Sequence, residues 1–335
     1  MRILFIMDPV SRIAVAEDTT YGLVREVQAQ KGEAWHALAS GVRLESRPEK
    51  PSRLQITCAP ILPPASCSPA SSTASAAANA SAASGALAHP PLLLGELQTK
   101  APTEFDLIWV RKDPPFDAGY LWLTLLLEHA RPHVRIVNDP RGLRDANEKL
   151  YTCHFSHLMP ETAVCAARSD IEAFVRDVGG QAVLKPIDGY AGGGIFLLRE
   201  GDPNFGSIVD SQTREGTLSV MLQRFLPEVV RGDKRILLVA GEPIGAIWRV
   251  PQGGDVRSNI HVGGRVALAG LADDDTRICR DLAPRLVADG LVFVGLDVIG
   301  GKLTEVNVTS PTGLRQMAEL TGHNLAARTL TLLGL

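Results

Sequence analysis

Two short runs near the end of the chain carry side chains suited to holding a divalent cation: Gly295-Leu296-Asp297-Val298-Ile299 and Leu303-Thr304-Glu305-Val306-Asn307-Val308. Their apolar residues predict two β-strands joined near Gly300-Gly301. Turn length decides which acids meet. A two-residue turn sets Asp297 opposite Thr304 and sends Glu305 to the other face. A three-residue loop that includes Lys302, with a glycine in the left-handed conformation, sets Asp297 opposite Glu305 and leaves Asn307 on the same face. That register also gathers Val294, Leu296, Val298, Val306 and Val308 on the reverse side, and this segregation of apolar residues favours it. Two carboxylates and an amide oxygen are hard ligands of the kind that Mg²⁺ shares with substrate phosphates. Spacing alone leaves an ordinary solvated acidic face equally open.

A second cluster, Lys185-Pro186-Ile187-Asp188-Gly189-Tyr190-Ala191-Gly192-Gly193-Gly194, follows an expected strand at 182–185. Gly192, Gly193 and Gly194 carry no side chains to keep backbone amides from phosphate oxygens, and Lys185 adds a point charge. A flexible turn is the competing reading of the same glycines. The order of residues is neither that of a P-loop nor that of a dinucleotide-binding Gly-x-Gly-x-x-Gly turn. Lys149, in Asn147-Glu148-Lys149, is a further cation that by itself reads as surface. Arg235, Arg249, Arg257 and Arg265 flank an expected hairpin and a glycine-rich segment, and guanidinium forks brought together would form an anion pocket. Cys153, His154 and His157 lack a second cluster at zinc spacing, and no Gly-x-Ser-x-Gly elbow occurs, so zinc and covalent hydrolase chemistry are disfavoured.

These residues need a frame. Strands are expected at 2–7, near 34, at 106–111 and at 134–137, with helices at 19–30 and 120–129, which is the pattern of an open α/β lobe over 1–146. Residues 60–91, rich in Ala, Ser and Pro and almost uncharged, read as a disordered surface insertion. From 147 to 225 a short helix, strands at 182–185, 195–198 and 219–223, and an intervening helix suggest a small α+β lobe. The third lobe, 226–335, is expected to hold a hairpin at 235–250, a helix at 273–289 and the strand pair described above. Its polar, glycine-rich stretch at 251–265 reads as a lid.

The 335 residues allow two or three lobes, and 45% hydrophobic with 21% charged residues is ordinary globular composition. A formal net charge of −3 gives no general attraction for nucleic acid or an anionic membrane, which points to small-molecule partners. The apolar start ends at Asp8-Pro9 and no later run reaches spanning length, so neither a signal peptide nor a membrane helix is expected. Cys58, Cys67, Cys153, Cys165 and Cys279 form no regular framework, which suits a reducing cytoplasm.

Taken in order, the motifs resemble those of the bacterial-type glutathione synthetases of the ATP-grasp superfamily. The resemblance rests on Met7-Asp8-Pro9, Arg111-Lys112-Asp113-Pro114-Pro115-Phe116-Asp117, Asn147-Glu148-Lys149-Leu150, Lys185-Pro186 with Asp188-Gly189, and Gly232-Asp233-Lys234-Arg235. It continues through Pro251-Gln252-Gly253-Gly254, Gly263-Gly264-Arg265, Gly295-Leu296-Asp297 and Thr304-Glu305-Val306-Asn307-Val308-Thr309-Ser310-Pro311. It implies a three-lobed ATP-grasp fold, α/β and α+β, with ATP between the second and third lobes. It also implies a ligase that joins γ-glutamylcysteine and glycine through an acyl phosphate, with Mg²⁺, or Mn²⁺ in its place. Lys149, Lys185 and the glycines would hold phosphates, and Gln223, Arg224, Phe225 and Leu226 would border adenine. Asp297, Glu305 and Asn307 would hold the metal. Arg235, Arg257 and Arg265 would face the transferring phosphoryl group or substrate carboxylates, and Asp8, Arg111 and Ser310 would lie nearer the peptide. A homo-oligomer, with a tetramer among the options, is implied as well. The insertion is longer than the family pattern requires, and Gly313 stands where some relatives carry a bulkier residue. Phosphate and metal residues alone do not encode the acceptor, so another ATP-grasp carboxylate-amine ligase and a non-catalytic ATP-binding regulator stay as alternatives.

Overall fold

The computed structural model describes residues 1–64, 90–190, 192–251 and 265–335. Most of the insertion expected at 60–91 and nearly all of the segment expected as a lid lie outside the described residues, as does Arg257.

The chain begins with β1 (Arg2–Met7), whose Ile3, Leu4, Phe5 and Ile6 are wholly buried. A run apolar on both faces belongs at the centre of a parallel sheet. Asp18 caps α1 (Thr19–Ala29) by accepting from Tyr21 N at 2.7 Å, and β2 (Glu33–Ala37) returns parallel to β1. The long hairpin β3 (Val42–Arg47) and β4 (Lys50–Leu62) follows, with short β5 (Leu93–Leu94) and β6 (Gln98–Lys100) paired to β4. Then come β7 (Leu107–Arg111), α2 (Ala118–Leu127), β8 (Arg135–Val137) and α3 (Pro140–Asp145). The sheet order is β3-β4-β2-β1-β7-β8.

The hairpin is a correction to the sequence reading. It has no counterpart among the strands expected from sequence, because β3 is an edge strand with Arg43, Glu45, Ser46 and Arg47 exposed. Residues 60–62, assigned to the insertion, complete β4.

A 3₁₀ segment, Leu150–Leu158, stands where a short helix is expected, and leads into a four-stranded antiparallel sheet ordered β11-β10-β12-β9. Its strands are β9 (Thr162–Cys165), β10 (Gln181–Pro186), β11 (Phe196–Arg199) and β12 (Val220–Arg224). Helices α4 (Arg168–Asp177) and α5 (Phe205–Thr213) cover one face. β9 has no sequence counterpart above: with only four residues, none buried, it offers little periodicity.

The last sheet, β15-β14-β13-β16-β17, is antiparallel. It consists of β13 (Asp233–Val239), β14 (Glu242–Val250), β15 (Arg265–Leu268), β16 (Phe293–Ile299) and β17 (Lys302–Asn307). Helix α6 (Asp273–Ala288) backs it, and α7 (Leu314–Thr321) and α8 (Leu325–Leu332) close the chain against α1. Two hydrophobic clusters each mix residues of the first and last sheets, whereas the middle sheet has its own, built on Ile171, Val175, Leu184, Leu198 and Leu222.

Asn138 stitches the first lobe to the last. Buried just after β8, its amide donates to Phe293 O and Val308 O at 2.9 and 2.7 Å and accepts from Val292 N and Phe293 N, both at 2.8 Å. Asn138→Ala should therefore lower stability by about 2–4 kcal/mol, because buried backbone groups lose partners. A shift of the urea midpoint without a change in slope would show it.

Cys58, Cys153, Cys165 and Cys279 are free thiols. Burial pushes Cys58 up to about 11 and Cys279 up to about 12, while Cys153 is exposed. Iodoacetamide at neutral pH should label Cys153 in the native protein and reach Cys58 and Cys279 only after unfolding, as peptide mass mapping would report.

Candidate active site

The β16/β17 turn resolves the question of register in an unexpected way. Gly300 and Gly301, with φ of +56° and +75°, form a two-residue turn, and Ile299 faces Lys302. A bulge then takes up Thr304, so that Val298 faces Leu303 and Asp297 faces Glu305. The expected juxtaposition of Asp297, Glu305 and Asn307 is present, but the bulge creates it and the three-residue loop does not form. Val294, Leu296, Val298, Val306 and Val308 are buried on the reverse side, and that burial fixes the shifted register.

Neighbouring strands extend the polar face. Arg235 lies beside Asp297 in the ladder, and Asp233 beside Arg249. Arg235 Nε donates to Asp297 Oδ1 at 2.6 Å and its Nη2 to Oδ2 at 3.2 Å. Arg249 Nη2 reaches Asp297 Oδ2 at 2.9 Å, and the Arg249 fork also grips both oxygens of Asp233. All four groups are buried. Burial pushes the Asp297 carboxyl up, yet Arg235 and Arg249 outweigh it and hold the group well below the usual carboxylate range.

Two lysines approach from other segments. Lys149 Nζ lies 3.2 Å from Glu305 Oε1 and donates to Gly189 O at 2.5 Å. Asn147 sets its position: Oδ1 accepts from the Lys149 and Leu150 amides at 3.0 Å, and Nδ2 donates to Ile187 O at 3.1 Å. Lys185, on β10, donates to Gln223 Oε1 on β12 at 2.6 Å. Burial lowers the Lys185 pKa and the charge of Lys149 adds to the fall, with Glu305 opposing. Glu148 accepts from Thr309 Oγ1 at 2.8 Å, and burial, then the charge of Glu305, raises its pKa.

These groups border a cleft of about 570 Å³ between the middle and last sheets. Its middle-sheet wall is an apolar slot of Val183, Ile195, Leu197, Phe225 and Leu226, where a flat ring would be covered on its faces. Of the residues singled out from sequence, Lys149, Lys185, Gly192, Gly193, Gln223, Arg224, Phe225, Leu226, Arg235, Arg249, Asp297, Glu305, Asn307 and Ser310 line this cleft.

The other described site candidates, Gly194, Asp8, Arg111 and Arg265, stand off its wall. Gly194, at φ +71°, would bring a Cβ within 2.6 Å of Pro186 Cγ, so it serves the turn and is not on the cleft wall. Asp8, itself off the wall, accepts at Oδ2 from Asp113 N at 2.9 Å and so shapes the loop whose Asp113 and Pro114 line the cleft. Arg111 is buried behind it, donating to Thr20 Oγ1 at 3.0 Å and Pro311 O at 3.1 Å, with its guanidinium over the Phe293 ring. Arg265 is exposed at the head of β15, off the wall. Asp233, Glu148 and Thr309 were missed by the sequence reading; the Asp233-x-Arg235 alternation on a strand was the available signal for the first.

The donor set suits a hard divalent cation. Asn307 Nδ2 donates to Gly295 O at 3.3 Å, which leaves Oδ1 as the free acceptor beside Asp297 and Glu305. No cluster of three or more His, Cys, Asp and Glu forms among the described residues, so phosphate oxygens and water would complete the coordination.

The model of the prokaryotic glutathione synthetase N-terminal domain matches residues 1–144, and that of the prokaryotic glutathione synthetase ATP-grasp domain matches residues 148–322. The chain belongs to the prokaryotic glutathione synthetase family. Within that family, it is 41% identical to the glutathione synthetase of Synechococcus elongatus over 99% of this chain and 98% of that protein. It is 42% identical to that of Gloeobacter violaceus over 96% and 93%. Among solved structures it is similar to the D-cycloserine synthetase DcsG, with a TM-score of 0.63, 15% identity and coverage of 98% of this chain and 99% of that one. It is also similar to the RimK domain protein ATP-grasp from Sphaerobacter thermophilus, with a TM-score of 0.55, 16% identity and 99% coverage of both. At those identities the likeness shows the fold, which is ATP-grasp. As a member of the glutathione synthetase family the chain is an ATP-dependent ligase that works with a divalent metal, and no helix among the described residues is long and apolar enough to cross a membrane.

Arg249→Met would leave Asp233 and Asp297 buried with one guanidinium fewer, at a cost of about 3–5 kcal/mol. Because Asp297 titrates below its unfolded range, its paired charge supports the fold fully above about pH 4 and loses that effect as pH falls through the depressed value. The stability gap between variant and wild type, followed by urea unfolding across pH, should be flat near neutrality and narrow only in strong acid.

Proposed function

We propose that this chain makes glutathione from γ-glutamylcysteine and glycine through an acyl phosphate formed in the cleft between the middle and last sheets. The supporting observation is convergence: Lys149, from the segment between sheets, and Lys185, from the middle sheet, meet the acidic face of the last sheet beside an apolar slot. That is the layout a nucleoside triphosphate needs, with its base in the slot and its phosphates between lysines and acids.

In the first step a cysteinyl carboxylate oxygen attacks the γ-phosphorus, the bond to the β-phosphate bridging oxygen breaks, and ADP leaves. In the second the glycine amine attacks the acyl carbon and inorganic phosphate departs with the bonding pair. A carboxylate is already nucleophilic, so the chain's task in the first step is positioning and charge neutralisation, and positioning alone can supply roughly 7–11 kcal/mol.

Lys149 and Lys185 bind phosphate oxygens, assisted by backbone at Gly192 and Gly193. Gln223 fixes Lys185, and Arg224 to Leu226 border the base. Arg235, with Arg257, faces the transferring phosphoryl group, and Arg265, exposed at the head of β15, is not given that role. Ser310 touches the peptide, while Asp8 and Arg111 shape its pocket from behind. Asp297, Glu305 and Asn307 hold Mg²⁺, for which Mn²⁺ can substitute; the ion supplies neutralisation of phosphate charge. The domain limits are 1–146, 147–225 and 226–335, the compartment is the cytoplasm, and the working form is a homo-oligomer.

Purified protein given γ-glutamylcysteine, glycine, ATP and Mg²⁺ should release ADP and glutathione in equal amounts. Strong ADP release only with a different carboxylate or amine would reject the substrate assignment. Glu305→Gln should keep the fold, seen by circular dichroism, and lose at least about a hundredfold in turnover. Near-normal turnover in that variant would remove its role as a metal ligand.

A further inference from the structure

In the first sheet β1 and β7 lie side by side and parallel, yet the chain leaves them in opposite directions: β1 leads through α1 to β2 on one side, β7 through α2 to β8 on the other. Such a reversal opens a crevice at the carboxyl ends of the two strands, where open α/β sheets take their ligands. Arg12 ends the 3₁₀ turn Val10–Arg12 that follows β1, Asp113 stands just after β7, and Asp18 caps α1. All three line the cleft, with Glu17 beside Asp18. The crevice adjoins the face that carries Asn307, because the segment after that residue runs to it: Ser310 Oγ donates to Arg111 O at 3.5 Å, and Arg111 Nη2 donates to Pro311 O at 3.1 Å.

Charge constrains the ligand. Among the described residues none forms an ion pair with Arg12, Glu17, Asp18 or Asp113. Three carboxylates against one guanidinium repel a phosphate and suit a group that carries an ammonium next to a single carboxylate. Asp18 is half-buried, with Oδ1 accepting from the Tyr21 amide at 2.7 Å. Burial pushes its pKa up against that bond and the charge of Arg111, so a cation brought to it would stabilise its charged form. Helix α7 holds the loop that carries these groups, since Arg315 donates to Val15 O and Gln316 Nε2 to Glu17 O at 3.4 Å. Gln316 also lines the cleft, and its Oε1 is buried with no partner among the described residues, which leaves one more acceptor.

Two ammonium groups enter the reaction proposed above. Glycine's is the nucleophile and must give up a proton, so acids that held it charged would stop the second step. The glutamyl one has to stay inert, and acids that hold it charged do no harm. In a γ-linked glutamyl group this ammonium and a free carboxylate sit on one carbon. In an α-linked group that carboxyl is taken up in the peptide bond, and the free carboxylate lies at the far end of the side chain.

We propose that Arg12 and Asp18 are specificity-determining residues that grip the carboxylate and the ammonium of a γ-linked glutamyl head in the crevice between β1 and β7, with Asp113 and Gln316 completing the ammonium's site, and that this pair makes the chain reject α-glutamyl peptides. The inference rests on the ligase reading and adds to it the residues that choose the peptide.

The test measures kcat and KM for γ-glutamylcysteine and α-glutamylcysteine with ATP, Mg²⁺ and glycine. It adds Ki for two truncated inhibitors, 4-aminobutyryl-cysteine, which lacks the head carboxylate, and glutaryl-cysteine, which lacks the ammonium. Wild type should prefer the γ-linked peptide by at least about a hundredfold in kcat/KM. Arg12→Met should raise KM for γ-glutamylcysteine about tenfold or more with kcat within about twofold, and leave Ki for 4-aminobutyryl-cysteine unchanged. Asp18→Asn keeps an oxygen for the Tyr21 amide, so α1 stays capped. It should raise the same KM and leave Ki for glutaryl-cysteine unchanged. Variants in which these Ki values rise as far as KM would overturn the proposal and leave the ligase reading standing, as would a wild type that uses both peptides equally well. A wild type with no turnover of γ-glutamylcysteine would sink both.

Discussion

Everything at the centre of this molecule depends on Asp297 staying ionised while buried. A carboxylate out of water is costly, and two guanidinium groups, from Arg235 and Arg249, make it tolerable here. That arrangement fixes three adjacent strands in one register, since β13, β14 and β16 must align for the forks to close. It also leaves a net demand for further cation on the face, because Asp233, Asp297 and Glu305 together carry more negative charge than Arg235 and Arg249 balance. Lys149 supplies the one positive charge that balances these groups. A divalent ion would therefore enter together with nucleotide phosphates, whose negative charge offsets its own.

The acidic face exists because of a local irregularity. A regular ladder running back from Gly300-Gly301 would set Thr304 opposite Asp297 and point Glu305 into the apolar layer. Absorbing Thr304 in a bulge returns Glu305 and Asn307 to the cleft, and Thr304 is held by its hydroxyl donating to Asp297 O at 3.1 Å. Bulges commonly re-aim side chains beside active sites, and this one does so within three residues of a tight turn.

Much of this was legible in the residues. The two-sided apolar run Ile3 to Ile6, the hairpin around Gly241 and the α6 helix all follow from periodicity, and hydrophobic segregation identified the correct Asp297 partner. The turn was not legible, since a bulge and a longer loop produce the same pairing at Asp297. Nor was the β3/β4 hairpin, whose exposed edge strand lacks alternation. Asn138 was invisible for a different reason: a lone asparagine after a strand carries no local sign that four partners, from residues 292, 293 and 308, wait more than 150 positions away. Asp8 and Arg111 show the opposite failure, because a residue belonging to a family motif can sit behind the wall and shape it. Lys185, by contrast, could be placed near a strand end from its sequence, whereas Lys149, between α3 and the 3₁₀ segment, carried no such sign.

The hydrophobic clusters divide the molecule unevenly. The outer two lobes share their apolar interior and are bridged by Asn138, while the middle sheet keeps an interior of its own. Swinging that sheet outward would break polar links such as Lys149 to Gly189 and Asn147 to Ile187 without parting any of its packed interior. That jaw of the cleft is thus attached through polar groups and held rigid by its own oil, so a molecule entering the cleft meets a door whose latch, Lys149 with Gly189, lies on the cleft wall itself.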